Sequence, residues 1–240
     1  MRSECYRKNK DFANALTGYA YVNSVGNSKY FEGATLEAAR IAYLELKDYP
    51  GAKKYFESLR ANAVNRDNQS EALRGLVRTY YQLKEYSQAN IVATELLALK
   101  GLSTDDRAVG ALVLGKSRQL ADDCAGAIVS FRSVAAINRS AWGAEARYGI
   151  AACYFSQQNF KASEKAALAV IKETGSYDEW VTKSYILLGD IFMEQKDWFN
   201  AKATYESVMK NAAIAELKKE ATDKLAKAIQ AEKSQSKISN

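Results

Sequence analysis

Residues 185–208 read YILLGDIFMEQKDWFNAKATYESV. On both sides of EQKD, apolar residues recur every three or four positions, the spacing of amphipathic helices. Gly189 and Ala201 interrupt these stripes with residues too small to fill a core. Small residues let two helix backbones approach closely, and a large side chain at such a crossing overpacks it by roughly 1–3 kcal/mol. The stretch therefore predicts a helical hairpin with Gly189 and Ala201 at the crossing, and flanking aromatics filling the space to a neighbouring hairpin.

The same pattern recurs along the chain. An aromatic-x-x-small step occurs as DFANA (Phe12, Ala15), DYPGA (Tyr49, Ala52), EYSQA (Tyr86, Ala89), DCAGA (Cys124, Ala127), NFKAS (Phe160, Ser163) and DWFNA (Trp198, Ala201). Successive steps are 37, 37, 38, 36 and 38 residues apart. Four residues after the small one come Tyr19, Phe56, Ala93, Phe131, Ala167 and Tyr205, and three further on Val22, Leu59, Leu96, Val134, Val170 and Val208. These sets mark one helix face. A second helical pattern precedes each step, joined to it by a short polar link such as QLKE, LADD, SQQN or EQKD. A single hairpin cannot bury two apolar faces, whereas stacked hairpins can.

The pattern resembles the tetratricopeptide repeat family. Tyr185, Leu188, Gly189, Phe192, Ala201 and Tyr205 follow the family's spacing, as do Ala111, Leu114, Gly115, Ala127 and Phe131, and Ile150, Ala151, Tyr154 and Phe160. Arg40 stands where the family has glycine, Arg118 where it has an aromatic, and the closing proline is absent. The resemblance implies an all-α fold, a right-handed α-α superhelix of about six hairpins. This array spans residues 1–211, with its first repeat truncated as in a fragment of a longer array. A one-sided helix over 212–232 caps it, and a disordered polar tail occupies 233–240. The repeat beginning at Gly143 is similar to those of bacterial cell-envelope proteins associated with Tol–Pal. That similarity favours a periplasmic or outer-membrane-associated location over a cytoplasmic one.

Composition narrows the chemistry. The chain has 240 residues, no histidine, a single proline and a net charge of +6 spread along its length. Without histidine the usual general base and the commonest metal ligand are both missing. No phosphate loop, nucleophile elbow or metal spacing is present, so neither an enzyme nor a cofactor is expected. Cys5, Cys124 and Cys153 lie in apolar helical contexts, without CxxC spacing, and read as buried structural thiols. Carboxylate pairs such as Asp105-Asp106 and Asp122-Asp123 lie in links and read as helix N-terminal caps. No apolar run is long enough to span a bilayer, and the diffuse charge gives no nucleic-acid footprint.

In the family, extended peptides bind on a concave face lined by the leading helices. The positions that periodicity turns towards such a face are Glu37, Ile41, Leu44, Glu45, Arg74, Arg78, Tyr81, Gln82, Leu112, Lys116, Gln119, Tyr148, Phe155, Ile186, Asp190 and Met193. The expected groove centres on Arg74, Arg78, Tyr81, Gln82, Lys116, Gln119, Tyr148, Phe155 and Asp190. Arg74 and Arg78, four apart on one helical face, should point to solvent and attract an acidic protein or peptide segment. The expected function is therefore an interaction scaffold. The alternative is a structural segment of a longer array, with recognition elsewhere.

Overall fold

The computed structural model describes residues 2–26, 28–137 and 139–238, with side chains to residue 235. Among the described residues there are thirteen α-helices and no strand. In order they are α1 (Arg2–Lys8), α2 (Phe12–Val25), α3 (Phe31–Arg40), α4 (Tyr49–Asn62), α5 (Arg66–Gln82), α6 (Tyr86–Leu97), α7 (Thr104–Leu120), α8 (Cys124–Ile137), α9 (Ala141–Ser156), α10 (Phe160–Glu173), α11 (Asp178–Glu194), α12 (Trp198–Asn211) and α13 (Ala215–Ile238). A π turn, Ile41–Glu45, extends α3. The chain forms two compact units, Met1–Ser117 and Arg118–Asn240.

One link geometry is used six times. The residue two before each step is left-handed although it is never glycine: Lys10, Lys47, Lys84, Asp122, Gln158 and Lys196, with φ between 54° and 60°. In five links it belongs to a Schellman motif. Lys84 N–H donates to the Tyr81 carbonyl and Glu85 N–H to that of Tyr80, and the same pair of bonds recurs before Asp11, Asp123, Asn159 and Asp197. The next residue then caps the following helix. Asp11, Asp48, Asp123, Asn159 and Asp197 accept from the backbone N–H three positions on, which satisfies an otherwise orphaned donor. Asp122-Asp123 is thus a turn and a cap.

The second link is the exception, and it corrects a reading of the sequence. There Asp48 N–H reaches one residue further back, to the Ala42 carbonyl, because the π turn has absorbed one extra residue. The register upstream therefore shifts by one. Ala39, fully buried, takes the crossing position assigned to Arg40, which is exposed. Arg118 replaces the family aromatic by bonding to α8 instead, donating to the Gly126 carbonyl and Ser130 Oγ.

All six small residues of the steps are completely buried. Ser163 stands in for alanine there at no cost in unpaired polarity, since its hydroxyl donates to the Ala151 carbonyl at 2.9 Å. Around them, side-chain volume is exchanged between helices. A Cβ added to Gly189 would lie 2.4 Å from the Tyr205 ring, one on Gly75 2.3 Å from Phe56, and one on Gly149 2.7 Å from Phe131. Where the equivalent of these aromatics is Ala167, the next leading helix supplies Leu187 to the same cluster. Where it is Ala93, the leading helices before and after carry Val77 and Val113, all three fully buried.

In the second unit, α9 contacts α11 and α11 contacts α13, so α13 occupies the place of a further leading helix. Leu217, Ala221 and Ala228 are buried against the α11–α12 hairpin, and Lys218, Lys219, Thr222, Asp223 and Lys227 are exposed. This helix does not end at residue 232. The helix continues through Ile238, held by Trp198 Nε1 donating to Gln235 and Lys202 donating to Glu232. The last two residues of the tail lie outside the described residues. Cys124 and Cys153 are buried as expected, whereas Cys5 is exposed.

Two outcomes follow from this packing. Gly189→Val should destabilise by roughly 1–3 kcal/mol by overpacking, and Tyr205→Ala by several. The double variant should cost less than their sum by about 1 kcal/mol, measured by urea unfolding, because the two volumes fill one space. Lys84→Gly should stabilise by about 1 kcal/mol in the same assay, since it relieves a left-handed backbone that glycine adopts freely.

Candidate functional site

The leading helices of the first unit carry a charge pattern that a fixed repeat register hides. The tetrapeptides ECYR (4–7), EAAR (37–40) and EALR (71–74) are spaced 33 and 34 residues apart, less than the hairpin period. On each, arginine pairs with the carboxylate three before it and reaches the acid of the next hairpin. Arg7 contacts Glu4 at 2.5 Å and Glu37 at 3.5 Å. Arg40 contacts Glu37 at 3.2 Å and Glu71 at 3.0 Å. Arg74 contacts Glu71 and Asp106, both at 2.9 Å. The acids lie 8, 12, 15 and 18 residues before Phe12, Tyr49, Tyr86 and Cys124. The ladder thus moves about one helical turn per hairpin and ends in the first turn of α7.

This ladder corrects the expectation for Arg74 and Arg78. Their side chains are 28% and 21% exposed, held between α5 and α7 and not free in solvent. Arg78 Nη2 donates to Asp105 and Asp106, each at 2.8 Å. Asp106, 5% exposed, also accepts from Ser103 Oγ, and that hydroxyl in turn accepts from Asp106 N–H and so caps α7. Burial alone would raise the Asp106 pKa. The hydrogen bonds from Arg78 and Ser103 and the charges of Arg78 and Arg74 outweigh it and hold the carboxyl below its ordinary value. The basic centre read from the sequence is therefore internally neutralised.

Between these charges lies a pocket of about 260 Å³, walled by Arg40, Glu71, Arg74, Arg78 and Asp106, with Tyr43, Leu44, Phe56 and Gly75 completing it. Gly75 lets the Phe56 ring lie against α5, and the π turn Ile41–Glu45 carries Tyr43 and Leu44. Leu44 is exposed, and π turns recur at functional sites. Burial raises the pKa of Tyr43, as does the charge of Tyr49, opposed by a hydrogen bond with Gln82. Tyr81 is half-buried and stacks edge-on against Tyr86 at 5.9 Å. Lys116 is half-buried on α7, and Gln82 is exposed at the end of α5.

Asp190, Tyr148, Phe155 and Gln119 belong to the second unit. Asp190 accepts from Tyr205 Oη at 2.6 Å and from Lys224 Nζ at 2.6 and 2.7 Å, which ties α11 to α12 and α13. The Tyr148 ring packs on Trp180 at 5.6 Å and the Phe155 ring on Phe160 at 5.7 Å. Burial, with the charges of Asp190 and Glu220, pushes the Tyr148 phenol up to about 12. Gln119 is half-buried near the end of α7. Ile41, Leu112 and Ile186, also expected to face a groove, are core residues.

Comparison with known proteins bears on the fold. Residues 183–213 match the family model of the tetratricopeptide repeat. A tetratricopeptide repeat protein from Parabacteroides merdae superposes with a TM-score of 0.56 at 13% identity, over 95% of this chain and 96% of that one. The fold is that of a tetratricopeptide repeat solenoid. YrrB, a tetratricopeptide repeat protein described as having an unusual peptide-binding site, gives 0.56 at 12% identity, covering 85% of this chain and 97% of its own. A thermophilic tetratricopeptide repeat protein of Thermus thermophilus gives 0.54 at 17%, covering 81% and 99%. No curated protein matches the sequence. Among the described residues no helix is long and apolar enough to cross a membrane.

The ladder's end gives a pH dependence. The folded pKa of Asp106 lies below the ordinary unfolded value of about 3.9. Its stabilising effect is therefore complete above that value and is lost as pH falls through the depressed folded one. At pH 7, Asp106→Asn should cost roughly 1–3 kcal/mol in urea unfolding. From pH 5 to pH 2, wild type should lose stability more steeply than the variant.

Proposed function

We propose that this protein is a non-enzymatic scaffold that holds an extended segment of another protein against the leading helices of its first unit. The observation that carries the reading is the pocket beside the π turn. It joins an aliphatic and aromatic wall from Tyr43, Leu44 and Phe56 to a rim of guanidinium groups held in place by carboxylates. A volume near 260 Å³ admits one bulky apolar side chain, and aromatic and arginine surroundings suit such an anchor. Because Arg40, Arg74 and Arg78 each already contact a carboxylate, the seat selects the anchor's shape more than the segment's net charge. This replaces the acidic partner inferred from sequence. YrrB, with the same fold, is described as binding a peptide, which supports a peptide segment as the ligand class. Envelope association of the Tol–Pal type is not part of this proposal.

Selection of random peptides displayed on phage tests the reading. Enriched peptides should share one bulky apolar residue and bind wild type with little dependence on salt, since steering by long-range charge is not the source of affinity. Leu44→Lys, at an exposed position, should weaken them by about tenfold or more while leaving the helical circular dichroism unchanged. Failure to enrich any peptide would favour the purely structural alternative, and peptides that bind Leu44→Lys equally well would move the site elsewhere.

A further inference from the structure

What fills the seat beside Leu44 depends on which parts of its arginines are still available. A guanidinium offers N–H donors around its edge and two flat faces. Here the edges are largely committed. Arg40 donates through Nη1 to Glu37 at 3.2 Å and through Nη2 to Glu71 at 3.0 Å. Arg74 donates through Nε to Asp106 and through Nη1 to Glu71, both at 2.9 Å. Arg78 donates through Nη1 to the Arg74 carbonyl and through Nη2 to Asp105 and Asp106. These bonds use edges and leave faces. A carboxylate entering the pocket would find most donors taken and would meet Glu71 and Asp106. A planar ring needs only a face, and arginine stacks on aromatic rings. The two acids also differ in what they have left. Asp106 is 5% exposed and accepts from Arg74, Arg78 and Ser103. Glu71 accepts one bond on each oxygen, and its side chain is 34% exposed. A carboxylate has about four acceptor sites, so Glu71 can take a further donor from the pocket.

We infer that the side chain held in this seat is a tryptophan of the partner segment, its ring on the guanidinium face of Arg40 and its indole N–H donating to Glu71. The inference rests on the scaffold reading given above and names the anchor which that reading left as bulky and apolar. Tryptophan is the ring that a cation attracts best. Its one polar atom is a donor and never an acceptor, which suits a pocket whose open polar atom is a carboxylate oxygen. The Phe56 ring, lying over Gly75, and half-buried Tyr43 supply the apolar lining, and aromatic pairs favour edge-to-face or offset contact. Leucine would be buried in the same lining but would use neither the guanidinium faces nor Glu71. Arg40 supplies the face because its side chain is the most exposed of the three, 44% against 28% for Arg74 and 21% for Arg78.

The probes are three end-capped pentapeptides, Gly-Ser-X-Ser-Gly, in which X is tryptophan, 1-methyltryptophan or leucine, titrated into the isotopically labelled full chain. The tryptophan peptide should give saturable shifts at the amides of Leu44 and Gly75 and at Arg74 Nε–H. It should bind about fivefold or more tightly than the leucine peptide. The methylated ring can stack but cannot donate, and should bind about threefold or more weakly than tryptophan. Arg40→Lys, at an exposed position, keeps the charge and loses the flat face. It should shrink the preference for tryptophan over leucine while leaving the helical circular dichroism unchanged. Leucine that binds as tightly as tryptophan at the same amides would overturn the tryptophan assignment and leave the seat standing. Equal affinity of the two indoles, or a preference unaltered in Arg40→Lys, would overturn it as well. Saturable shifts from none of the three at millimolar peptide would remove the seat itself, and this inference with it.

Discussion

The close approach of two backbones at a buried small residue is the constraint on which the rest of this structure depends. Once alanine or serine fixes the crossing, the residue four positions on has a set volume to fill, shared with the leading helices on either side. The chain answers either with a ring set against glycine, as in Phe56 with Gly75 and Tyr205 with Gly189, or with alanine accompanied by valine or leucine. Total volume is kept while its owner changes, as expected of interiors packed to crystal-like density. This explains how repeats with little residue identity stack into one fold.

Charge plays a different part. The ladder from Glu4 to Asp106 joins four leading helices through contacts whose members are often a third or more exposed, so its individual pairs add little stability. Its effect is to hold each of these arginines against a carboxylate. Arginines that stand alone on a helix would draw in anions, whereas the same arginines locked between carboxylates present rigid, nearly neutral walls. The functional reading thus passes from charge attraction to shape.

How far the sequence could be read follows from range. The hairpin and its crossing residues were legible because each is set within one repeat by spacing and side-chain size. The solvent exposure assigned to Arg74 and Arg78 was wrong because their partner, Asp106, lies about one repeat away. The ladder went unseen because its step of 33 and 34 residues slips against the repeat of 36 to 38. A search for E-x-x-R at any constant spacing would have found it. The placement of Arg40 failed for a different reason, since a π turn leaves no mark in composition. The helical course of residues 233–238 depends on Trp198 and Lys202, which lie some 30 residues earlier.

The π turn has a consequence for how such a chain can change over time. An inserted residue in a continuous helix rotates everything beyond it by about 100° and would turn a buried face outward. Here the surplus is taken up within Ile41–Glu45, just before a link that re-establishes the geometry of the next helix through its left-handed lysine and its aspartate cap. Each link therefore acts as a checkpoint at which an error of length is cancelled, and repeats downstream keep their faces. A lineage built this way can gain or lose residues one hairpin at a time. In this chain the same π turn carries Tyr43 and Leu44 to the wall of the pocket beside Gly75.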